Sequence, residues 1–229
     1  MPDGPQHAEQ LRRFVLEHTA LRHPPEVPEV RLHLTDDLTA LWIRAEAELG
    51  RALEPPFWAS AWAGGLAVAR FLLDHPERVA GRSVLDLGSG SGLCAIAAAQ
   101  AGATVTAADV DELSMTAIKL NAAANGVLVH RVQRDLLAEE PPAVDVVIAG
   151  DVCYERTMSE RAVGWLRAAR RDGADVLLGD PGRAYLPGAG LARLARYAIA
   201  PDADLESPRT RETSVYALDG AECSGRSFG

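Results

Sequence analysis

Three glycines at alternate positions, Gly88, Gly90 and Gly92, follow the apolar run Val84-Leu85-Asp86-Leu87 and open the small-residue segment Leu93 to Ala101. Strand, glycine turn and helix in that order make a cradle for a nucleotide-type ligand. Glycine permits the tight turn and lets a ligand approach the backbone closely. The dinucleotide fingerprint G-x-G-x-x-G would put its third glycine at position 93, and that residue is Leu93. Asp86 would repel a pyrophosphate and suits a ligand with a cationic amino-acid end. S-adenosylmethionine is such a ligand, with an ammonium, a sulfonium and no phosphate. Asp109, 21 residues after Gly88, falls at the end of the next strand, where a carboxylate accepts hydrogen bonds from ribose hydroxyls. Asp135, after the third strand, either accepts a bond from an adenine amino group or is a turn residue ahead of Leu136-Leu137.

A second set of reactive residues follows a later apolar strand, in Gly150-Asp151-Val152-Cys153-Tyr154-Glu155. A carboxylate that ends a buried strand usually has a task. The resemblance of this segment to the protein-lysine methyltransferases implies methyl transfer to nitrogen, a direct displacement that needs a neutral amine held in line, about 3 Å from the methyl. Asp151 can accept the amine's hydrogen bonds and pass its proton to water. Tyr154 can hydrogen-bond the nucleophile, close the pocket or simply pack at a helix start. A lysine acceptor arrives protonated, with an ordinary pKa of about 10.4, and a dry aromatic pocket disfavours its charged form. Trp58 and Trp62 are either walls of such a pocket, attracting a sulfonium through their ring faces, or plain core residues. Asp180-Pro181-Gly182-Arg183 is either a turn or, at the same sheet edge as Asp151, the place from which Arg183 shapes a substrate mouth.

The elements that must position these groups can be read from periodicity. Leu11, Phe14, Val15 and Leu21 predict a first helix, closed by His23-Pro24-Pro25. Val30, Leu32 and Leu34 alternate with polar residues as in a short strand. Thr35-Asp36-Asp37 caps a second helix that Gly50 ends, and a third runs from Gly65 toward His75-Pro76. Beyond about residue 82, strands at 84–87, 103–108, 127–132, 144–149 and 174–179 alternate with helices at 93–101, 113–124 and 158–171. Leu191 to Tyr197 reads as helical and Thr213 to Leu218 as a last strand. Continuous apolar strands alternating with helices imply a parallel sheet covered on both faces, a doubly wound α/β domain. The expected organisation is an N-terminal extension or lid over residues 1–79, a ligand-binding domain over 80–220 and a disordered tail over 221–229.

Composition narrows the function classes. The 229-residue chain is 48% hydrophobic and carries a net charge of −9, which disfavours a phosphate backbone as partner. Arg161, Arg167, Arg170 and Arg171 read as a solvated helix face rather than a nucleic-acid patch. Cys94, Cys153 and Cys223 give no disulfide framework or zinc spacing, and His18, His23, His33, His75 and His130 show no ligand spacing, so no metal is expected. The first residues lack the pattern of a signal peptide, and no apolar run approaches the about 20 residues of a membrane span. A cytoplasmic, monomeric protein without membrane contact is the expectation.

The glycine loop with Asp86 and Asp109 resembles the seven-stranded class I methyltransferases over roughly residues 80 to 220. That resemblance implies a Rossmann-like sheet in the order 3-2-1-4-5-7-6, with strand 7 antiparallel, and a ligand crevice at the carboxyl ends of strands 1 and 4. It implies S-adenosylmethionine as cofactor and S-adenosylhomocysteine as product. The D-x-x-Y pattern of Asp151 and Tyr154 is similar to the family 16 protein-lysine methyltransferases. Pro56-Phe57-Trp58-Ala59, Trp62-Ala63-Gly64-Gly65, Gly179 to Arg183 and Tyr185-Leu186-Pro187 resemble the branch of that group acting on the electron transfer flavoprotein β-subunit, although family members typically read Trp-Pro-Gly-Gly where Ala63 stands here. A nicotinamide-like small-molecule N-methyltransferase, an NAD-dependent oxidoreductase and a silent binding module remain the alternatives.

Overall fold

The computed structural model describes residues 4–200 and 211–219. Helix α1 (Pro5–His18) is followed by a two-stranded antiparallel ribbon of β1 (Ala20–Arg22) and β2 (Leu32–Leu34), then helices α2 (Leu38–Leu49) and α3 (Ala63–Asp74). The main sheet follows: β3 (Ser83–Leu87), α4 (Leu93–Gln100), β4 (Thr104–Asp109), α5 (Glu112–Ala124), β5 (Val129–Gln133), β6 (Val146–Gly150), α6 (Arg156–Arg171), β7 (Asp175–Asp180), β8 (Leu191–Ile199) and β9 (Arg211–Leu218). The seven strands lie in the order β5-β4-β3-β6-β7-β9-β8. β5, β4, β3, β6 and β7 are parallel, and β9 runs antiparallel to both β7 and β8. This is the order and polarity that the resemblance implies.

Alternation along the central strands explains the two apolar layers. Val84, Val105, Val146, Ile148 and Leu177 point to the face covered by α3, α4 and one side of α5. Leu85, Leu87, Val147, Ala149, Val176 and Leu178 point to the other, against Trp165 and Leu166 of α6. A side chain such as Ile148 or Leu178, fully buried, contributes about 1.5–3 kcal/mol relative to exposure. A third cluster joins Leu11, Phe14 and Val15 of α1 and Leu38 and Leu41 of α2 to Leu113 and Ala117 of α5, and includes the fully buried Trp58. Polar contacts reinforce that seam. Asn121 of α5 accepts the His33 N–H at 2.8 Å and donates to the Ser91 carbonyl at 2.8 Å, linking β2 to the glycine loop through one fully buried amide.

Three expectations are corrected. The segment Leu191 to Tyr197 is a strand, not a helix. Its Leu-Ala-Arg-Leu-Ala-Arg pattern has helical spacing and propensity, but pairing with β9 overrides both, and a register shift between Arg193 and Ala195 disrupts the two-residue alternation a strand should show. The first helix stops at His18, where Thr19 turns extended and its hydroxyl donates to the Val15 carbonyl, so Leu21 sits exposed on β1 instead of on the helix. The second strand is shorter than expected and begins at Leu32. The capping expectation for the second helix holds, with Asp37 accepting the Ala40 N–H at 2.7 Å and Gly50 left-handed at the end. The tail over 221–229 lies outside the described residues.

Candidate functional site

At the carboxyl ends of β3, β4 and β6 the sheet opens into a cavity of about 1120 Å³. Of the residues singled out in the sequence, Trp62, Asp86, Gly88, Gly90, Asp109, Asp135, Asp151, Tyr154 and Arg183 line it. Two do not. Trp58 is fully buried in the cluster between α1, α2 and α5, so its large apolar surface serves the core behind the wall and offers nothing to a substrate. Gly92 caps α4 from the side, where an added Cβ would press on Ile118 at 3.2 Å.

The half of the cavity beside β3 and β4 is built by local chain. Gly88, Gly90 and Gly92 have φ of 66°, 52° and 83°, a left-handed run that only glycine adopts without strain. This coils the loop so that Gly90 donates its N–H to Asp109 at 2.8 Å, while the second Asp109 oxygen accepts the Asp111 N–H at 3.0 Å. Asp86 is 2% exposed and accepts from the Ser89 hydroxyl and from the Ala95 N–H at the start of α4. Burial pushes the Asp86 carboxyl up to about 7, although its two donors and the neighbouring Asp109 charge act on it in opposite senses. Burial also raises the Asp109 carboxyl, against its backbone donors. Such carboxylates gain from a bound cation. Ser60, which the sequence reading passed over, lines the same region with a buried hydroxyl that has no partner among the described residues. A buried carboxylate at Asp86, a second acceptor at Asp109, the Ser60 hydroxyl and a left-handed glycine loop fit the amino-acid end and ribose of S-adenosylmethionine. Asp135 stands at the far rim, capping Leu137 N–H at 3.1 Å and pairing with Arg161 at 2.8 Å, so the turn role is real and the residue still faces the cavity.

The half beside β6 and β7 is assembled from distant segments. Asp151 has φ of 60°, the one non-glycine in the left-handed region among the described residues. Its backbone N–H donates to the Gly179 carbonyl at 3.0 Å, and its side chain is 11% exposed. One carboxylate oxygen accepts from Arg183 Nη2 at 2.6 Å, the other from the Gly65 N–H at 2.9 Å. Gly65 is in the first turn of α3, whose free N–H groups and dipole favour a negative charge. α3 can come this close because glycines meet: a Cβ on Gly64 would lie 2.3 Å from the Gly179 carbonyl oxygen, and one on Gly150 2.7 Å from the Gly65 nitrogen. Burial raises the Asp151 carboxyl to about 6, with Arg183 and Gly65 pulling it down and Asp180 pushing it up.

Rings close the outer side. Phe57 and Trp62 meet edge-on at 5.8 Å, Phe57 and Tyr154 tilt at 5.8 Å, and the Trp62 indole N–H donates to the Phe57 carbonyl at 2.7 Å. Tyr154 is 51% exposed, and burial with the charges of Glu155, Glu54 and Asp109 raises its phenol. Phe57 was visible only as part of a segment; its half-exposed ring beside Trp62 is the signal that it lines a mouth.

Residues 71–152 match the family model of ribosomal protein L11 methyltransferase (PrmA). The electron transfer flavoprotein beta subunit lysine methyltransferase of Xenopus laevis is 35% identical over 215 residues, covering 91% of this chain and 87% of its own length. The Rattus norvegicus protein of that name is 37% identical over 198 residues, covering 83% and 77%. Among solved structures, a Pyrococcus horikoshii protein provisionally assigned to RNA methylation superposes with a TM-score of 0.53 at 14% identity, over 95% of this chain and 98% of its own, a likeness of fold alone. The nicotinamide-dependent alternative falls with these matches. The chain belongs to the electron transfer flavoprotein beta subunit lysine methyltransferase family, and S-adenosylmethionine is its cofactor.

Proposed function

We propose that this chain transfers methyl groups to a lysine of the electron transfer flavoprotein β-subunit. The observation that carries the reading is Asp151, a nearly buried carboxylate in the same cavity as the glycine loop, beside an aromatic mouth that reaches the surface at Tyr154. The names of relatives that match most of the chain supply the target. S-adenosylmethionine supplies a methyl group on a sulfonium, already activated for displacement by nitrogen.

The residues divide the work. Asp86 and Ser60 hold the amino-acid end of the cofactor, Asp109 the ribose and Asp135 the adenine side. Asp151 accepts hydrogen bonds from the arriving amine and orients it, so the barrier is lowered mainly by placement. Phe57, Trp62 and Tyr154 keep water out and disfavour the ammonium form of the lysine. Tyr154 is also within the cavity lining, where its hydroxyl can meet the nucleophile. A half-exposed mouth suits a side chain projecting from a folded protein. No helix among the described residues is long and apolar enough to cross a membrane, and the net charge of −9 gives little attraction for nucleic acid.

The test is incubation of the enzyme with methyl-labelled cofactor and purified electron transfer flavoprotein, followed by peptide mass spectrometry. Label on a β-subunit lysine is expected. Label that enters only other proteins, or only small amines such as nicotinamide, overturns the proposed target.

A further inference from the structure

Asp151 is not held by its own strand alone. The turn after β7 is shaped by the Asp180 side chain, which accepts the N–H groups of Gly182 and Arg183, each at 2.7 Å. Asp180 is fully buried, and Gly182 is left-handed at φ 85°, so the turn has one course and it launches the Arg183 side chain toward Asp151. The guanidinium, 18% exposed, meets Oδ1 at 2.6 Å while the first turn of α3 holds Oδ2. Both oxygens are thus fixed, each with a lone pair to spare, in a carboxylate that faces the cavity.

We infer that Arg183 is a positioning residue for methyl transfer: by gripping one Asp151 oxygen against the N-terminus of α3, it fixes that carboxylate as the acceptor of the substrate lysine's amine. This rests on the reading of the site as a lysine-accepting one. The sign of its electrostatic effect follows from the charged neighbours. Asp180 from β7 and the burial of the site both favour a neutral Asp151, and the thiols of Cys94 and Cys153 lie close enough to feel its charge. Asp86 and Asp109 line the same cavity. Arg183 and the Gly65 amide oppose them. Without the guanidinium, Asp151 takes up a proton at higher pH, and any fraction that stays charged holds the lysine as an ammonium. Both consequences move the acid side of the rate profile in one direction.

The experiment is the pH profile of labelled methyl transfer to electron transfer flavoprotein by the wild type, Arg183→Gln and Arg183→Lys. In Arg183→Gln the acid limb of kcat should move up by about one to three pH units. Activity near neutrality then falls by about tenfold or more and recovers in alkali, with S-adenosylhomocysteine affinity held near wild type and Tm near wild type at acid pH, where Asp151 is protonated in both proteins. Arg183→Lys keeps the charge and should return the limb toward its wild-type position. A loss of equal factor at every pH, or an unmoved profile, overturns the inference. Should the Gln variant fail to fold, Arg183→Met carries the same comparison. Asp151→Asn separates the two readings. If it keeps full turnover, the reading of Asp151 fails; if it loses turnover while Arg183→Gln keeps the wild-type profile, only the inference about Arg183 fails.

Discussion

The two halves of the cavity hold their carboxylates by different means. In the cofactor half, Asp86 is bonded to Ser89 and Ala95, and Asp109 to Gly90 and Asp111, all within 19 positions along the chain. In the acceptor half, Asp151 is bonded to Gly65, 86 positions away, and to Arg183, 32 positions away. A loop that satisfies its own acids can form wherever strand and helix meet. An acid satisfied across three elements exists only after those elements pack. The cofactor half should therefore tolerate packing changes, and the acceptor half should report them.

The largest expected effect is on turnover. Asp151→Asn should lower kcat by about 10²–10⁴-fold while S-adenosylhomocysteine binding, read by calorimetry, stays close to wild type. Retained turnover would remove Asp151 from the reaction and make the two halves alike. Next comes packing. Gly64→Ala puts a Cβ 2.3 Å from the Gly179 carbonyl oxygen, where backbone must move, and should cost about 3 kcal/mol in denaturant titration and separate Gly65 from Asp151. Gly90→Ala meets nothing nearer than 3.9 Å and bears only the strain of a left-handed alanine, about 1–2 kcal/mol. Equal losses in the two variants would break the comparison. Asp109→Ala should weaken the cofactor by about 10–100-fold, with folding little changed, because a buried ligand hydroxyl loses its acceptor.

Acidity gives a subtler test. Asp86 and Asp151 are raised in the fold to about 7 and about 6, above ordinary carboxyl values. A raised carboxyl contributes stability that is complete below its unfolded pKa and is lost as pH rises through its folded one. The ligand-free protein should therefore lose Tm between about pH 4 and 7 on account of these groups. Cofactor binding should run the other way. Ionised Asp86 attracts the ammonium of S-adenosylhomocysteine, so affinity should rise by about tenfold from pH 6 to 8, and Asp86→Asn should flatten that rise. The smallest effect belongs to Asp135→Ala. Its half-exposed pair with Arg161 is worth little, and cofactor affinity should change by less than about fivefold.

The glycine loop was legible because its chemistry is contiguous. Three glycines, one displaced third position and two acids at fixed spacing specify a ligand class without reference to anything distant. Asp151 and Tyr154 were legible as a short motif after an apolar strand, and Arg183 as a residue at the same edge. Trp58 reads from sequence as wall or core alike, because a tryptophan two positions from a turn carries no sign of which way it faces, and only packing puts it in the core. Ser60 carried no signal, since an unpaired hydroxyl is defined by what surrounds it. The strand at Leu191–Ile199 was missed because local propensity favours a helix there, and only hydrogen bonds to β9 decide otherwise.

The sequence by itself determined the alternation of strands and helices and the cofactor loop, since periodicity and turn chemistry act over a few residues. Tertiary structure alone decided the state of Asp151. Its donors come from the start of α3 and the turn after β7, and they meet only because three glycines let a helix rest directly on two strands. No local pattern encodes that approach. It is a property of backbones that touch where side chains are missing, and of a carboxylate that those backbones enclose.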